Sequence, residues 1–291
     1  MDRLTPAQVE HFLDKGYVRM PHCFDRRVAD EWRQLAFERL GYDEQDPQTW
    51  TEARVHLPGM NRVEVKEFAP AAYGAICDLM GGEERIALPV NWSDGFIVNF
   101  NVRADEPWQA PSAAASGWHK DGDWFRHFLD SPEQGLLTIV IWSDIGPQSG
   151  GTFVAPDSIA PVARFLRKRP VGYHPAEVRF GDLIGECTEF EEVTGQVGDV
   201  FLLHPYMLHA ASNNPSGRPR FITNPPVSLR EPMCFCRANG DYSPVEGAVL
   251  RALGVESLEF QISTDRERVV PERVARQEKM LAEQNVRLSQ S

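Results

Sequence analysis

The 291-residue sequence has no long apolar run: nothing in it approaches the roughly 20 consecutive apolar residues that cross a bilayer, and the N-terminal MDRLTPAQVE carries charges where a signal peptide needs an apolar stretch. A cytoplasmic chain with no membrane partner is expected. Basic charge is also scarce. Thirty Lys and Arg stand against 42 Asp and Glu, a formal charge of −12 that repels phosphate backbones and argues against a nucleic-acid partner. The five cysteines (Cys23, Cys77, Cys187, Cys234 and Cys236) are odd in number and scattered, with no CxxC pair. That excludes a zinc ribbon or thioredoxin-like site and reads as reduced thiols, Cys234-x-Cys236 being two strand or loop cysteines. Internal repeats and low-complexity tracts are absent. What remains, 42% hydrophobic and 25% charged, is the composition of a globular chain with ample core material, and one domain over residues 1–291 is expected.

Local signals order this material. Thr5-Pro6-Ala7-Gln8 is a helix start, with Thr5 as N-cap, Pro6 at the first helical position and Gln8 closing a capping box; Gly16 stops the helix. Tyr17–Met20 alternates like a strand, and Asp25 caps a second helix carrying Val28, Trp32, Leu35, Ala36 and Leu40 at helical spacing. A third helix is expected over Ala71–Met80, ended by Gly81-Gly82. From Phe96 onward, β-branched and aromatic runs at Phe96–Val102, Leu136–Trp142, Gly151–Val154, Val200–Leu203 and Arg220–Val227, separated by turn residues, predict an antiparallel β region. Ala104–Ser116, rich in small residues and proline, reads as a mobile loop over one end of the sheet, and Asp265–Gln284, dense in Arg and Glu, as a solvated or edge-packing helix.

Chemistry concentrates in two segments. His11, His22, His56 and His174 stand alone and read as ordinary surface or hydrogen-bonded histidines. His119 and Asp121 are spaced i, i+2, which on extended backbone puts both side chains on one face, able to grip one metal. About ninety residues later, a Gly198-Asp199 turn feeds an apolar strand that ends in two histidines, His204 and His209. One of them, added to His119 and Asp121, makes the two-histidine, one-carboxylate triad that holds non-haem Fe(II) and leaves sites open for a bidentate co-substrate and dioxygen. Arg220, eleven residues past His209, offers a planar fork of donors suited to the far carboxylate of a dicarboxylic co-substrate.

These residues, together with Trp142, the Ser149-Gly150-Gly151 turn and the opening Thr5-Pro6, Phe12, Gly16-Tyr17-Val18, resemble the phytanoyl-CoA dioxygenase family of iron and 2-oxoglutarate-dependent oxygenases, over residues 4 to about 230. The resemblance implies a mainly β fold with peripheral helices, a cupin-like double-stranded β-helix or jelly roll. Residues 1–95 would supply N-terminal helices and first strands, 96–230 the jelly-roll core with the metal site, and 231–291 a C-terminal helical extension. By position, His119, Asp121 and His209 match the family's iron ligands and Arg220 its 2-oxoglutarate anchor. The eleven-residue spacing favours His209 over His204, and Arg218, preceding a proline at the turn, reads as solvated. Trp142 matches an aromatic near the co-substrate; Asn99 and Asn101 are expected to donate to it from inside the barrel. Ala211 departs from the pattern, since a serine two residues past the distal histidine often helps bind 2-oxoglutarate in the family, and another donor must substitute.

The implied activity is an Fe(II)/2-oxoglutarate-dependent dioxygenase that consumes O2, releases succinate and CO2, and oxidises a substrate C–H bond, with hydroxylation the default outcome. Asp121 argues against halogenation, because a halide takes the coordination position vacated when that carboxylate is Gly or Ala. The rival readings are a protein or peptide hydroxylase of the same chemistry and a non-catalytic jelly-roll binding module. Trp124, Phe125, Arg126 and His127, just past the metal pair, with Trp108 closing over them, are expected to line the substrate pocket. Lys120, Arg126 and Arg103 are too few cations for a coenzyme A ester, so the expected partner is another small-molecule metabolite.

Overall fold

The computed structural model describes residues 4–290, so Met1–Arg3 and Ser291, the outermost residues of the expected domain, lie outside it. Helix α1 (Pro6–Lys15) starts on the capping box of Thr5 with Gln8 and ends at Gly16, whose φ of 72° is the left-handed turn that favours glycine. Strand β1 (Tyr17–Met20) follows, then α2 (Arg26–Leu40) capped by Asp25. The chain next forms β2 (Arg54–His56), β3 (Arg62–Glu64), the single turn α3 (Val65–Phe68), α4 (Pro70–Met80), β4 (Asn91–Ser93) and β5 (Ile97–Asn99). Strand β5 is shorter than the expected run from Phe96 to Val102. The amide of Val102 turns back onto the side chain of Asn99, and Phe100 donates to Ala53 outside the ladder.

Strand β6 (Leu136–Ile141), β7 (Thr152–Ala155), α5 (Ile159–Arg167), β8 (Glu191–Val193), β9 (Val200–Leu203), β10 (Leu208–Ala211), β11 (Arg220–Thr223) and β12 (Pro226–Val227) complete the β region, and α6 (Pro244–Leu253) and α7 (Glu272–Leu288) close the described chain. All named pairings are antiparallel. A seven-stranded sheet runs β1-β9-β6-β11-β5-β2 with β12 beside β6; a three-stranded sheet runs β10-β7-β8; β3 and β4 pair separately. The N-terminal 95 residues therefore contribute β1 and β2 to the same sheet as the strands that follow.

The two larger sheets face each other. Leu137, Ile139 and Ile141 of β6, Phe201 and Leu203 of β9 and Ile222 of β11 meet Val154 of β7 and Val193 of β8 in one buried cluster between them. Alternate residues on the other side of the large sheet, Leu136, Val140, Val200, Leu202 and Phe221, join the main core with α1, α2, α4 and α6. The segment expected to be one strand ending in histidines is two strands in different sheets: β9 ends at Leu203, the chain turns through His204, and His209 lies on β10.

One peripheral expectation changes, and the other, an edge-packing C-terminal helix, holds with shifted bounds. Ala104–Ser116 is fastened rather than loose: Trp118 donates its indole N–H to Ser112, and Asn213 donates its amide to Glu106. The C-terminal helix begins at Glu272 and is pinned to α2 by a buried polar cluster. Arg39, fully buried, donates to Gln284 (2.9 Å) and to the carbonyl of Pro58, and pairs with the equally buried Asp94 (3.2 Å).

Candidate metal centre

His119 lies just outside the regular strands and joins β10 at one antiparallel bridge, in which His119 and His209 exchange backbone hydrogen bonds of 3.0 Å in each direction. That bridge brings two histidines ninety positions apart onto adjacent backbones, with ring centroids 4.2 Å apart. Each ring is oriented in the same way. His119 Nδ1 lies 2.8 Å from the carbonyl of Gly117 and His209 Nδ1 lies 3.1 Å from that of Met207, so both Nδ1 atoms carry the proton and both Nε2 lone pairs are left free. The Nε2 atoms converge on Asp121 Oδ1, at 3.5 and 3.6 Å. The other carboxylate oxygen, Oδ2, accepts a 2.8 Å hydrogen bond from the amide of Asn224.

Among the described residues these three form the one group of His, Cys, Asp or Glu whose ligand atoms lie within 4.8 Å of one another. Burial alone would raise the Asp121 carboxyl, but His209 and His119 beside it hold it well below the ordinary carboxylate range. Burial likewise opposes charge on His119, and the hydrogen bond and charge of Asp121 outweigh it and raise the imidazole. Two imidazole lone pairs and a carboxylate oxygen aimed at one another at this distance are a cation site, because a divalent ion supplies the positive charge that all three face. His204 takes no part. It is fully buried beneath α6, with Nε2 donating to Val245 and Nδ1 accepting from the amide of Tyr206.

Beside the triad, a narrow cavity of about 40 Å³ between the sheets is lined by Arg220, His209, Thr152, Ala211, Leu137 and Ile139. Arg220 is 2% exposed, donates through Nε to the carbonyl of Gly150, and leaves Nη1 buried without a partner. Burial, reinforced by Arg54, pushes its guanidinium down to about 9, the behaviour of a cation that has no anion beside it. Arg218 is exposed at the turn. Thr152 stands directly across the ladder from Ala211 and puts a hydroxyl where that residue has none.

Several expected contributors lie elsewhere. Trp142 follows β6 on the opposite side of the sheet, stacked on Trp32 at 4.9 Å with its N–H on Thr223; it belongs to the core under α2 and does not face the narrow cavity. Asn99 does face inward, but its amide is taken by the carbonyl of Ser212 and the N–H of Val102. Asn101 is exposed past the end of β5.

A larger cavity of about 640 Å³ opens beside His119 and Asp121 and includes Trp124, Asn224, Arg54, His56, Arg273 and Gln277. Trp124 thus lines a cavity next to the triad. His127 lies behind Lys120 in an adjoining cavity of about 460 Å³, and Phe125 is buried under Lys120 and His127. Arg126 lines neither cavity, because Glu267 holds it through two hydrogen bonds of 3.1 and 2.8 Å. Trp108 packs edge-on against Phe153, on the side of the small sheet away from the triad, and closes over nothing at the mouth. Asn224 was readable by alternation, since Arg220, Ile222 and Asn224 share one face. Arg54, Arg273 and Gln277 carry no local signal, because strand pairing and a distant helix bring them in.

A family model described as phytanoyl-CoA dioxygenase (PhyH) matches residues 12–222. No curated protein sequence matches the chain. Solved structures similar to it include SnoK from nogalamycin biosynthesis, a non-heme alpha ketoglutarate dependent carbocyclase, at 17% identity over 78% of this chain and 84% of that one, TM-score 0.46. HygX from Streptomyces hygroscopicus, with nickel and 2-oxoglutarate bound, is similar at 15% identity over 79% of this chain and 88% of that one, TM-score 0.43.

Proposed function

The chain belongs to the phytanoyl-CoA dioxygenase family, and from that premise we propose that it hydroxylates a C–H bond of a small-molecule metabolite other than a coenzyme A ester. It is a non-haem iron, 2-oxoglutarate-dependent oxygenase. The observation that carries the residue assignment is the convergence of two free Nε2 lone pairs and Asp121 Oδ1, with both histidines lining the narrow cavity into which Arg220 brings its unpartnered Nη1. The donor set fits iron(II), and the buried guanidinium fits the far carboxylate of 2-oxoglutarate. Bound iron supplies the activation of dioxygen that no side chain here can perform.

In this reading His119, Asp121 and His209 hold the metal, the carbonyls of Gly117 and Met207 fix the imidazole tautomers, and Asn224 fixes which carboxylate oxygen faces the ion. Arg220 anchors the co-substrate, with Thr152 in place of the missing serine hydroxyl. Leu137, Ile139 and Ile222 keep water from that cavity. The two facing antiparallel sheets support a double-stranded β-helix as the frame. The larger cavity, lined in part by Trp124, supports an organic substrate of moderate size. Arg103 and Arg126, two of the cations on which a coenzyme A phosphate would draw, are each paired with a glutamate, which supports a different substrate class. The test is succinate formation by the Fe(II)-loaded protein from 2-oxoglutarate and O2: His119→Ala, Asp121→Ala and His209→Ala each abolish it, and an active His209→Ala protein would refute the ligand set.

A further inference from the structure

The cavity beside the triad carries an unpaired cation although the chain has a formal charge of −12. Its charged walls are Arg54, Lys120 and Arg273 against Asp121 and Asp123. Arg273 and Asp123 neutralise each other through two hydrogen bonds of 2.7 and 2.9 Å, and Asp121 belongs to the metal site. Lys120 donates to the carbonyl of Asp121 and approaches His127 Nδ1 at 3.3 Å. Arg54 differs from all of these: its guanidinium has no hydrogen-bonding or ion-pair partner among the described residues.

The sheet explains where Arg54 points. Val55 of β2 is buried in the main core, so Arg54 and His56 on either side of it face the cavity. In register, Arg54 sits opposite Asn99, and Asn99 opposite Arg220, so the two arginines occupy one row of the sheet roughly 10 Å apart. Arg54 borders both the narrow cavity of Arg220 and the larger one. His56, pushed down to about 4 by burial and then by Arg54, Arg220 and Arg273, is neutral at physiological pH and competes with no anion there. Arg220, buried at the narrow end, is placed for the co-substrate. Arg54, exposed toward the open end, is placed for what enters from solvent.

We propose that Arg54 anchors a carboxylate on the primary substrate, so that the enzyme's substrate is an organic acid held between this guanidinium and the metal ligands. This rests on the oxygenase reading above. An unpaired planar fork at a cavity wall binds a carboxylate through two parallel hydrogen bonds, which neither a neutral amide nor a lysine reproduces.

The experiment is calorimetric. Fe(II)-loaded protein under nitrogen is titrated with 2-oxoglutarate; with and without 2-oxoglutarate present, it is then titrated with phenylacetate and 3-phenylpropanoate, each beside its primary amide. The wild-type protein is expected to bind the carboxylates at least about fivefold more tightly than the amides. Arg54→Gln should erase that preference and Arg54→Lys retain part of it, while 2-oxoglutarate affinity stays within about threefold of wild type in both. The proposal is overturned by a preference that survives in Arg54→Gln, or by a wild-type protein with no preference or no binding. It is also overturned if Arg54→Gln weakens 2-oxoglutarate binding beyond that limit, which would assign the guanidinium to the co-substrate. A wild-type protein that fails to bind 2-oxoglutarate would sink the oxygenase reading instead, and the probe titrations without it still decide the role of Arg54.

Discussion

Asn224 lines the larger cavity, and its amide fixes which oxygen of Asp121 faces the two imidazoles. Asn224→Ala frees that carboxylate to rotate, and iron affinity measured against a chelator should fall by about tenfold or more. Thr152→Val, which deletes the hydroxyl opposite Ala211, should weaken 2-oxoglutarate binding several-fold with iron affinity unchanged; Arg220→Lys, which loses the fork, should weaken it by on the order of ten to a hundredfold. Unaltered calorimetric affinity in both variants would move the co-substrate out of the narrow cavity. At this scale the sequence was most legible where residue type and spacing together specify chemistry, as in His119, Asp121, His209 and Arg220. It was least legible where the question was which face looks inward. Every residue of β6 is buried, so no polar alternation marks the outer side, and Trp142 reads equally well on either. Arg126 looked available because its partner, Glu267, is 141 residues away.

Elements were legible in proportion to their caps. Thr5 and Asp25 announce α1 and α2, and Ser243-Pro244 with Glu246 is the same kind of signal for α6. Helix α5 carries Pro161 inside it and lacks a side-chain cap, so nothing local marks its start. The separation of β9 from β10 is a tertiary fact: His204-Pro205 marks a turn between two apolar runs, but nothing local says that the second run joins the other sheet. Helix α7 depends on a polar pin for its placement. Asp94 accepts from the amides of Met60 and Asn61 and from the Asn61 side chain while pairing out of water with Arg39. Asp94→Ala leaves a buried guanidinium uncompensated and should cost about 3–5 kcal/mol in urea denaturation. A loss below 1 kcal/mol would mean that water reaches Arg39.

For the molecule as a whole, acid is the expected weakness. His204 is buried in its neutral form, its pKa pushed down to about 3 by that burial, whereas an unfolded histidine titrates near 6.5. Between those values the unfolded chain binds the extra proton, so stability falls as pH drops from about 6.5 toward 3, by at most about 1.4 kcal/mol per pH unit for this group. His204→Gln can keep the bond to Val245 without that titration. Its stability between pH 6.5 and 4 should decline less steeply than wild type in chemical denaturation, while succinate formation at neutral pH persists. Parallel slopes in the two proteins would place the acid sensitivity elsewhere, with the buried His127, also held low by burial, the next candidate.

Helix α7 lends Arg273 and Gln277 to the cavity wall, yet Gln284 is its only buried side chain and Met280 the apolar residue through which it joins the main core. A wall attached in this way is modular. Descendants of this sequence can trade the residues at 273 and 277, provided Gln284 stays in place, without repacking the sheets that fix the metal ligands. Diversification of what the enzyme accepts is thereby uncoupled from inheritance of what it does, and libraries confined to positions 273 and 277 should yield altered selectivity far more often than lost folding.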